Sequence, residues 1–173
     1  MDKLLPDIYQ QSIYTINYQK LKKSGIKCLI FSLNNTIAPL KILTPTKKMK
    51  NKFEDLKDMG FKLIIMSNSS KKRVEPFKEI LNVDSAYHSK KPFKRKYKKI
   101  LNIYDLKPDQ IACIGDQLTS DVLGANRMGM TSILVNPISN YEVPSSKIAK
   151  VIENFLVEKF TKDDRLKKGE YYE

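Results

Sequence analysis

An α/β fold with a doubly wound, Rossmann-like parallel sheet is predicted by three features of the chain. Four apolar runs of strand length show no polar alternation, the pattern of strands covered on both faces. Segments of helical period separate them. The 173 residues suit one domain with a real core. Such alternation implies right-handed crossovers, with helices on both sides of the sheet.

The elements follow in order. The first 24 residues form an N-terminal extension in which "LLPDIYQQSIYTI" reads as a short amphipathic helix docked on the core, with a membrane surface as the minority reading. "GIKCLIFSL" (25–33) opens the core domain as a strand. Met49, Phe53, Leu56 and Met59 recur at helical spacing, and Gly60 supplies the stop. "FKLIIMSN" (61–68) is the next strand. Val74, Phe77 and Leu81 mark a second helix, which Pro76 predicts to start late or bend. "VDSAYHS" (83–89) is a weaker strand, and Tyr97, Ile100 and Leu101 mark a third helix. "QIACIGD" (110–116) and "TSILVNP" (131–137) bracket a short fourth helix in "DVLGANRMG" (121–129) that ends at Gly129. In "SSKIAKVIENFLVEKF" (145–160), Ile148, Ile152, Phe155 and Leu156 share one helical face and are expected to pack on the domain. These assignments give an extension (1–24), a core domain of about five strands (25–160) and a tail (161–173). Neither the stretch after "NNT" nor residues 69–109 leaves room for a cap domain over the strand ends.

Composition narrows the function classes. No apolar run approaches the roughly 20 residues of a spanning helix. The N-terminus lacks the basic and apolar regions of a secretory signal, so the expected location is the cytoplasm, with peripheral membrane contact as an alternative. Cys28 and Cys113 lie in apolar runs without metal-ligand spacing and read as buried free thiols. His88 stands alone and reads as a strand-end residue. The net charge of +13 attracts polyanions: nucleic acid, anionic lipid or phosphorylated ligands. Charge is densest in "KKPFKRKYKK" (90–99) and "KFTKDDRLKKG" (159–169), where a solvated helix face and a binding patch have even standing.

Ligands of open parallel sheets bind beyond the carboxyl ends of the strands. There the chain delivers Ser32, Asn34, Asn35 and Thr36, then Ser67 and Asn68, then Lys90 and Lys91, then Asp116 and Asp121. Hydroxyls, a helix N-terminus, an ammonium and a carboxylate pair suit a phosphate and a divalent cation.

Four ordered motifs, "FSLNNTI", "IIMSNSS", "KKP" and "IGDQLTSDVLGANRMG", span residues 25–137. By them the chain resembles the haloacid-dehalogenase phosphatases, and specifically the YqeG branch of their capless third subfamily. The N-terminal "LLPDIYQQSIYTI…LKKSGIK" is also similar to that branch. The resemblance implies roles. Ser32 stands at the position of an aspartate nucleophile that also ligates magnesium, and Asn34 at that of the aspartate acid/base, whose backbone carbonyl is a metal ligand. Ser67 and Asn68 fall where the transferring phosphoryl group is held, Lys91 where it is neutralised, and Asp116 and Asp121 where Mg2+ is bound. Lys90 substitutes if the register at "KKP" is off by one. The branch's relatives imply phosphatidylglycerophosphate as an ancestral substrate.

The departures bear on mechanism. An acyl phosphate on aspartate is cleaved by water, whereas a serine needs a base and would give a stable ester. The Asn34 amide does not titrate. Loss of acid–base assistance alone costs typically 10²–10⁴ in rate. Magnesium binding through Asp116 and Asp121 is expected to be weak or ligand-assisted. Ser32 and Asn34 read equally as residues that bond local backbone at a strand end.

Three functions remain open on the sequence. The favoured one is a catalytically impaired phosphatase that acts as a phospholigand-binding or regulatory protein, its ligand a phosphorylated molecule or an anionic lipid head group. The second is a magnesium-dependent phosphatase with a modified mechanism. The third is a basic module for RNA, ribosome or protein through Lys90 to Lys99, with Phe93 and Tyr97 interleaving the lysines.

Overall fold

The computed structural model describes residues 2–140 and 147–173. Met1 of the extension and Ser145 and Ser146 of the predicted last helix lie outside the described residues. Six parallel strands form one sheet: β1 (Ile8–Gln10), β2 (Cys28–Phe31), β3 (Lys62–Met66), β4 (Asp84–Ala86), β5 (Ile111–Gly115) and β6 (Thr131–Val135). Their order is β1-β6-β5-β2-β3-β4. The helices are α1 (Tyr18–Lys23), α2 (Lys47–Asp58), α3 (Lys71–Leu81), α4 (Arg95–Tyr104), α5 (Leu123–Met128) and α6 (Lys147–Lys162).

Period-two alternation divides each central strand between two cores. Leu29 and Phe31 of β2, with Leu63 and Ile65 of β3, pack against Phe53 and Leu56 of α2 and Phe77 and Leu81 of α3. Cys28, Ile30, Ile64 and Met66 point the other way, onto Tyr97 and Ile100 of α4 and Ala125 of α5. Both faces are covered, so the strands read as unbroken apolar runs. Local signals bound the helices. Thr46 Oγ1 accepts the Met49 N–H at 3.3 Å to cap α2, and Gly60 follows that helix at φ +94°.

The sheet has six strands rather than about five. The sixth is β1, which pairs with β6 in the register Ile8↔Ile133. The extension is therefore not the expected amphipathic helix over "LLPDIYQQSIYTI". Three residues are too few to show a period, and tertiary contacts hold them: the Asp7 carboxylate accepts the Ser132 N–H (2.8 Å) and the Asp7 N–H donates to Ser132 Oγ (3.0 Å). α3 does not start late either. It begins at Lys71, and the carbonyl that Pro76 deprives of a donor belongs to exposed Lys72, within reach of water.

The C-terminal segment departs further. Leu156 and Phe160 of α6 are buried, but Ile148, Ile152 and Phe155, expected to pack on the domain, are exposed. The face turned inward is the one carrying Glu153, whose carboxylate accepts the Leu118 and Thr119 N–H groups at 2.8 and 2.6 Å. The segment after α6 also packs: Leu166 is buried, and Tyr9 and Tyr172 exchange backbone hydrogen bonds, both 2.9 Å. It thus covers part of the free edge of β1, a place otherwise open to pairing with another chain.

α5 lies close to α4 because Gly124 has no side chain. A Cβ there would fall 2.4 Å from the Tyr97 hydroxyl oxygen and 3.0 Å from two of its ring carbons. Gly124→Ala is expected to cost about 1–3 kcal/mol in urea unfolding, and part of that loss should be relieved in a Tyr97→Phe background, which removes the nearest atom.

Candidate functional site

The carboxyl ends of β2, β3, β4 and β5 converge, and side chains from their connections meet there. Lys91, in the connection after β4, reaches over the end of β2. Its Nζ donates to Ser32 Oγ at 3.0 Å and pairs with Asp121 Oδ1 at 2.5 Å. Both side chains of the pair are almost inaccessible, 5% and 6% exposed. Asn68 holds the backbone of Lys91 in place, its Oδ1 accepting the Lys91 N–H at 2.8 Å. Lys90 is exposed and adopts φ +53°, so the lysine in the site is Lys91.

Asp121 lies in a π-helical turn, Leu118–Val122, that leads into α5. Wider turns of this kind recur at functional sites. The carboxylate folds back over Gly115, where an added Cβ would lie 2.2 Å from Asp121 Cγ; its second oxygen accepts the Gln117 N–H at 3.2 Å. Asp116 accepts from Thr36 Oγ1 at 2.9 Å. Burial first, then the neighbouring Asp121 charge, push its carboxyl up to about 7, against the opposing pull of Thr36 and Lys91.

Asn34 does not bond local backbone. Its amide nitrogen donates to Ser69 Oγ at 2.8 Å and its Oδ1 accepts Arg73 Nε at 3.0 Å. Ser67 is buried at the end of β3, where its Oγ accepts the Ser69 N–H at 3.1 Å and shapes the turn into α3. Ser32, Lys91, Asp121 and Asn68 are thus linked by direct contacts, and Asp116 joins the motif after β2 through Thr36. Ser67 and Asn34 belong to a neighbouring network on the β3 side.

Three features have no sequence motif. Arg73 donates to Asn34 and to the carbonyls of Ile42 and Pro39, tying the connection after β2 to α3; a basic residue in the first turn of a helix after "SNSS" was its one available signal. Glu153 caps the π-helical turn from far along the chain, and burial raises its carboxyl. A cleft of about 320 Å3, lined by Asp116, Pro137, Ser139, Lys150, Glu153 and Asn154 among others, opens beside Asp116. The basic stretch 90–99 loses one of its two aromatics, because Tyr97 is buried beneath α5.

The donor set suits a divalent cation only in part. Asp116 and Asp121 are neighbouring carboxyls, but Lys91 already pairs with Asp121 and burial raises the Asp116 carboxyl. Among the described residues no three His, Cys, Asp or Glu side chains gather as a metal site. Magnesium there would take Asp116 as its carboxylate ligand, with phosphate oxygens and water completing its shell.

Two stability measurements test this geometry. Lys91→Met leaves the Asp121 carboxylate buried without its ion partner and is expected to cost about 3–5 kcal/mol, most of it recovered by adding Asp121→Asn. A carboxyl raised in the folded state binds its proton there longer than in the unfolded chain. The Asp116 contribution is therefore full below the unfolded value of about 3.9 and is lost as pH rises towards 7. Urea unfolding should show the native chain losing stability relative to Asp116→Asn between pH 5 and 7, by at most about 1.4 kcal/mol per pH unit; a difference independent of pH would contradict the assignment.

Comparison with known proteins agrees with this architecture. A family model described as mitochondrial PGP phosphatase matches residues 1–139. The probable phosphatase YqeG of Bacillus subtilis (strain 168) is 32% identical over 153 residues, covering 88% of this chain and 89% of that protein. Among solved structures, a putative haloacid-dehalogenase-superfamily (subfamily III A) hydrolase from Legionella pneumophila aligns with a TM-score of 0.52 at 20% identity, over 70% of this chain and 72% of its own. The D,D-heptose 1,7-bisphosphate phosphatase of B. bronchiseptica, solved with magnesium and phosphate, aligns with a TM-score of 0.52 at 16% identity over 77% and 99%. With the family match over residues 1–139 and the 32% identity to YqeG over 88% of this chain, the chain belongs to the PGP phosphatase family and is a relative of YqeG, on a fold shared with haloacid-dehalogenase hydrolases.

Proposed function

We propose that this member of the family binds a phosphomonoester, such as a phosphorylated lipid head group, and has lost turnover through a covalent phosphoenzyme. One observation carries the reading: the Ser32 hydroxyl faces the Lys91 ammonium, a donor, and not a base. An alcohol becomes a nucleophile when a neighbouring group takes its proton, and no carboxylate among the described residues is in hydrogen-bond contact with Ser32 Oγ. Asn34 cannot stand in as acid or base, since both ends of its amide are engaged by Ser69 and Arg73 and an amide does not titrate.

Binding is less affected than chemistry. Lys91 would supply positive charge by exchanging Asp121 for the ligand's phosphate, and the first turn of α3, beside Ser67 and Ser69, offers free N–H groups to an anion. Magnesium, when bound at Asp116, would add charge neutralisation to the ligand's phosphate. A second reading draws on the Asp116 carboxyl near 7: that group is suited to accept a proton from an attacking water close to neutral pH, which would leave residual direct hydrolysis.

The test pairs a binding and a rate measurement. Inorganic phosphate and Mg2+ together should raise the thermal midpoint more than either alone. Against a soluble phosphomonoester, the chain should turn over at least 10²-fold below a Ser32→Asp/Asn34→Asp double variant, consistent with the cost of removing acid–base assistance alone. Turnover at ordinary enzyme rates by the native chain would reject the main reading, and its loss in Asp116→Asn would favour the second.

A further inference from the structure

We infer that the face around the mouth of the site, the carboxyl edge of the sheet with the outer side of α6, seats on an anionic lipid surface. The inference deepens the phosphoester reading by naming where the ligand resides. It stands on the distribution of exposed apolar and basic side chains.

All strands are parallel, so every strand-to-helix connection emerges at one edge. Three of these connections expose a large apolar side chain: Leu43 after β2 (69% exposed), Phe93 after β4 (63%) and Ile138 after β6 (48%). Two of them adjoin the site directly. Ile138 N–H donates to the Asn35 carbonyl at 3.0 Å, and Phe93 lies two residues from Lys91. α6 starts from the same edge and continues the pattern. Ile148, Val151, Ile152 and Phe155 recur at i, i+3, i+4 and i+7 and are 47–77% exposed, beside the face that buries Leu156 and Phe160. An apolar face wider than the domain covers needs a second apolar surface, and a cluster of this kind marks an interaction site.

Charge is arranged on the same edge. Residues 32–46, 87–94 and 136–140 contain Lys41, Lys90, Lys91 and Lys94 and no Asp or Glu; the acids of this edge are Asp116 and Asp121 of the site, the latter paired with Lys91, and Glu142 in the sequence between β6 and α6. The helices that follow open with Lys47 and Lys48 in α2, Lys71, Lys72 and Arg73 in α3, Arg95 and Lys96 in α4, and Lys147 and Lys150 in α6, and none has an acid in its first turn. Helix N-termini favour carboxylates, because the backbone dipole is positive there. Four helices that place cations at that end instead accept an unfavourable local field, which an external anionic surface relieves. At the opposite edge the connections before β2 and β5 carry Lys27, Asp105, Lys107 and Asp109, which balance, and Lys62 and Asp84, which open β3 and β4, pair with each other.

Basic side chains interleaved with aliphatic ones are the composition of an interfacial surface: cations meet head groups while apolar chains enter the boundary beneath them. The aliphatic character of Leu43, Ile138, Val151 and Ile152 favours lipid over nucleic acid, whose bases stack on aromatic faces. On such a surface the mouth would open directly onto lipid head groups.

Flotation with vesicles tests the proposal. Equal parts phosphatidylglycerol and phosphatidylcholine should bind the full chain, and phosphatidylcholine alone should bind it at least tenfold less. Ile152→Asp/Phe155→Asp, at exposed positions and checked for an unchanged circular dichroism spectrum, should weaken binding to the mixed vesicles at least tenfold. Part of the native chain's binding should survive 0.5 M salt, since apolar contact is not screened. No binding to mixed vesicles at low salt would overturn the proposal, as would equal binding by the double variant. A dimer that the double variant dissolves, without vesicle binding, would assign the face to a second copy; retention on a polynucleotide without vesicle binding would assign it to nucleic acid. These vesicles hold no phosphomonoester, so failure here is separable from failure of phosphate binding at Lys91.

Discussion

The buried ion pair between Lys91 and Asp121 is the contact on which the rest of the site depends. It joins the connection after β4 to the turn after β5 and lies across the end of β2, where Lys91 also meets Ser32. Two charges removed from water hold together only with good geometry and further hydrogen bonds. Gln117 supplies one to Asp121 and Ser32 accepts one from Lys91. The pair imposes requirements on its neighbours: a glycine at position 115 so that the carboxylate can fold over the strand end, a π-helical turn that aims it inwards, and Asn68 to fix the lysine's backbone.

The replacements after β2 fit this arrangement. Aspartates at positions 32 and 34, as the related phosphatase motif has, would place two more negative charges beside Asp116 and Asp121. With Ser32 and Asn34 in their place, the lysine pairs with one carboxylate inside the protein, and burial first, then the Asp121 charge, raise the Asp116 carboxyl. Asn34 is integrated with the Arg73 network that holds the Pro39 and Ile42 carbonyls. Ser32 and Asn34 thus have protein partners for their polar groups, Lys91 for the first and Ser69 and Arg73 for the second.

Outside the site, α6 links the chemistry to the surface. Its inner side carries Glu153, which caps the turn holding Asp121. Its outer side carries four exposed apolar residues. Leu156 and Phe160, which are buried, and Glu153, which caps two backbone N–H groups, together mark its inward face.

By itself the amino-acid sequence determined the class of fold and the place of the site. Strands buried on both faces must be apolar at every position, so β2, β3, β5 and β6 are legible in isolation, and Met49, Phe53 and Leu56 repeat at the spacing any buried helix face requires. The carboxyl ends of β2 and β5 then bring Ser32, Asp116 and Asp121 to one edge without further information. Tertiary structure decided what depends on partners remote in the chain. β1 is three residues held by Ser132 and bridged by Tyr172. Lys91 rather than Lys90 enters the site because Asn68 and Asp121 hold it there, and the inward face of α6 is the one where Glu153 finds its donors and Leu156 and Phe160 are buried. Periodicity reports what each residue buries against its own element's axis, whereas these choices were made by hydrogen bonds and charges between residues far apart in sequence.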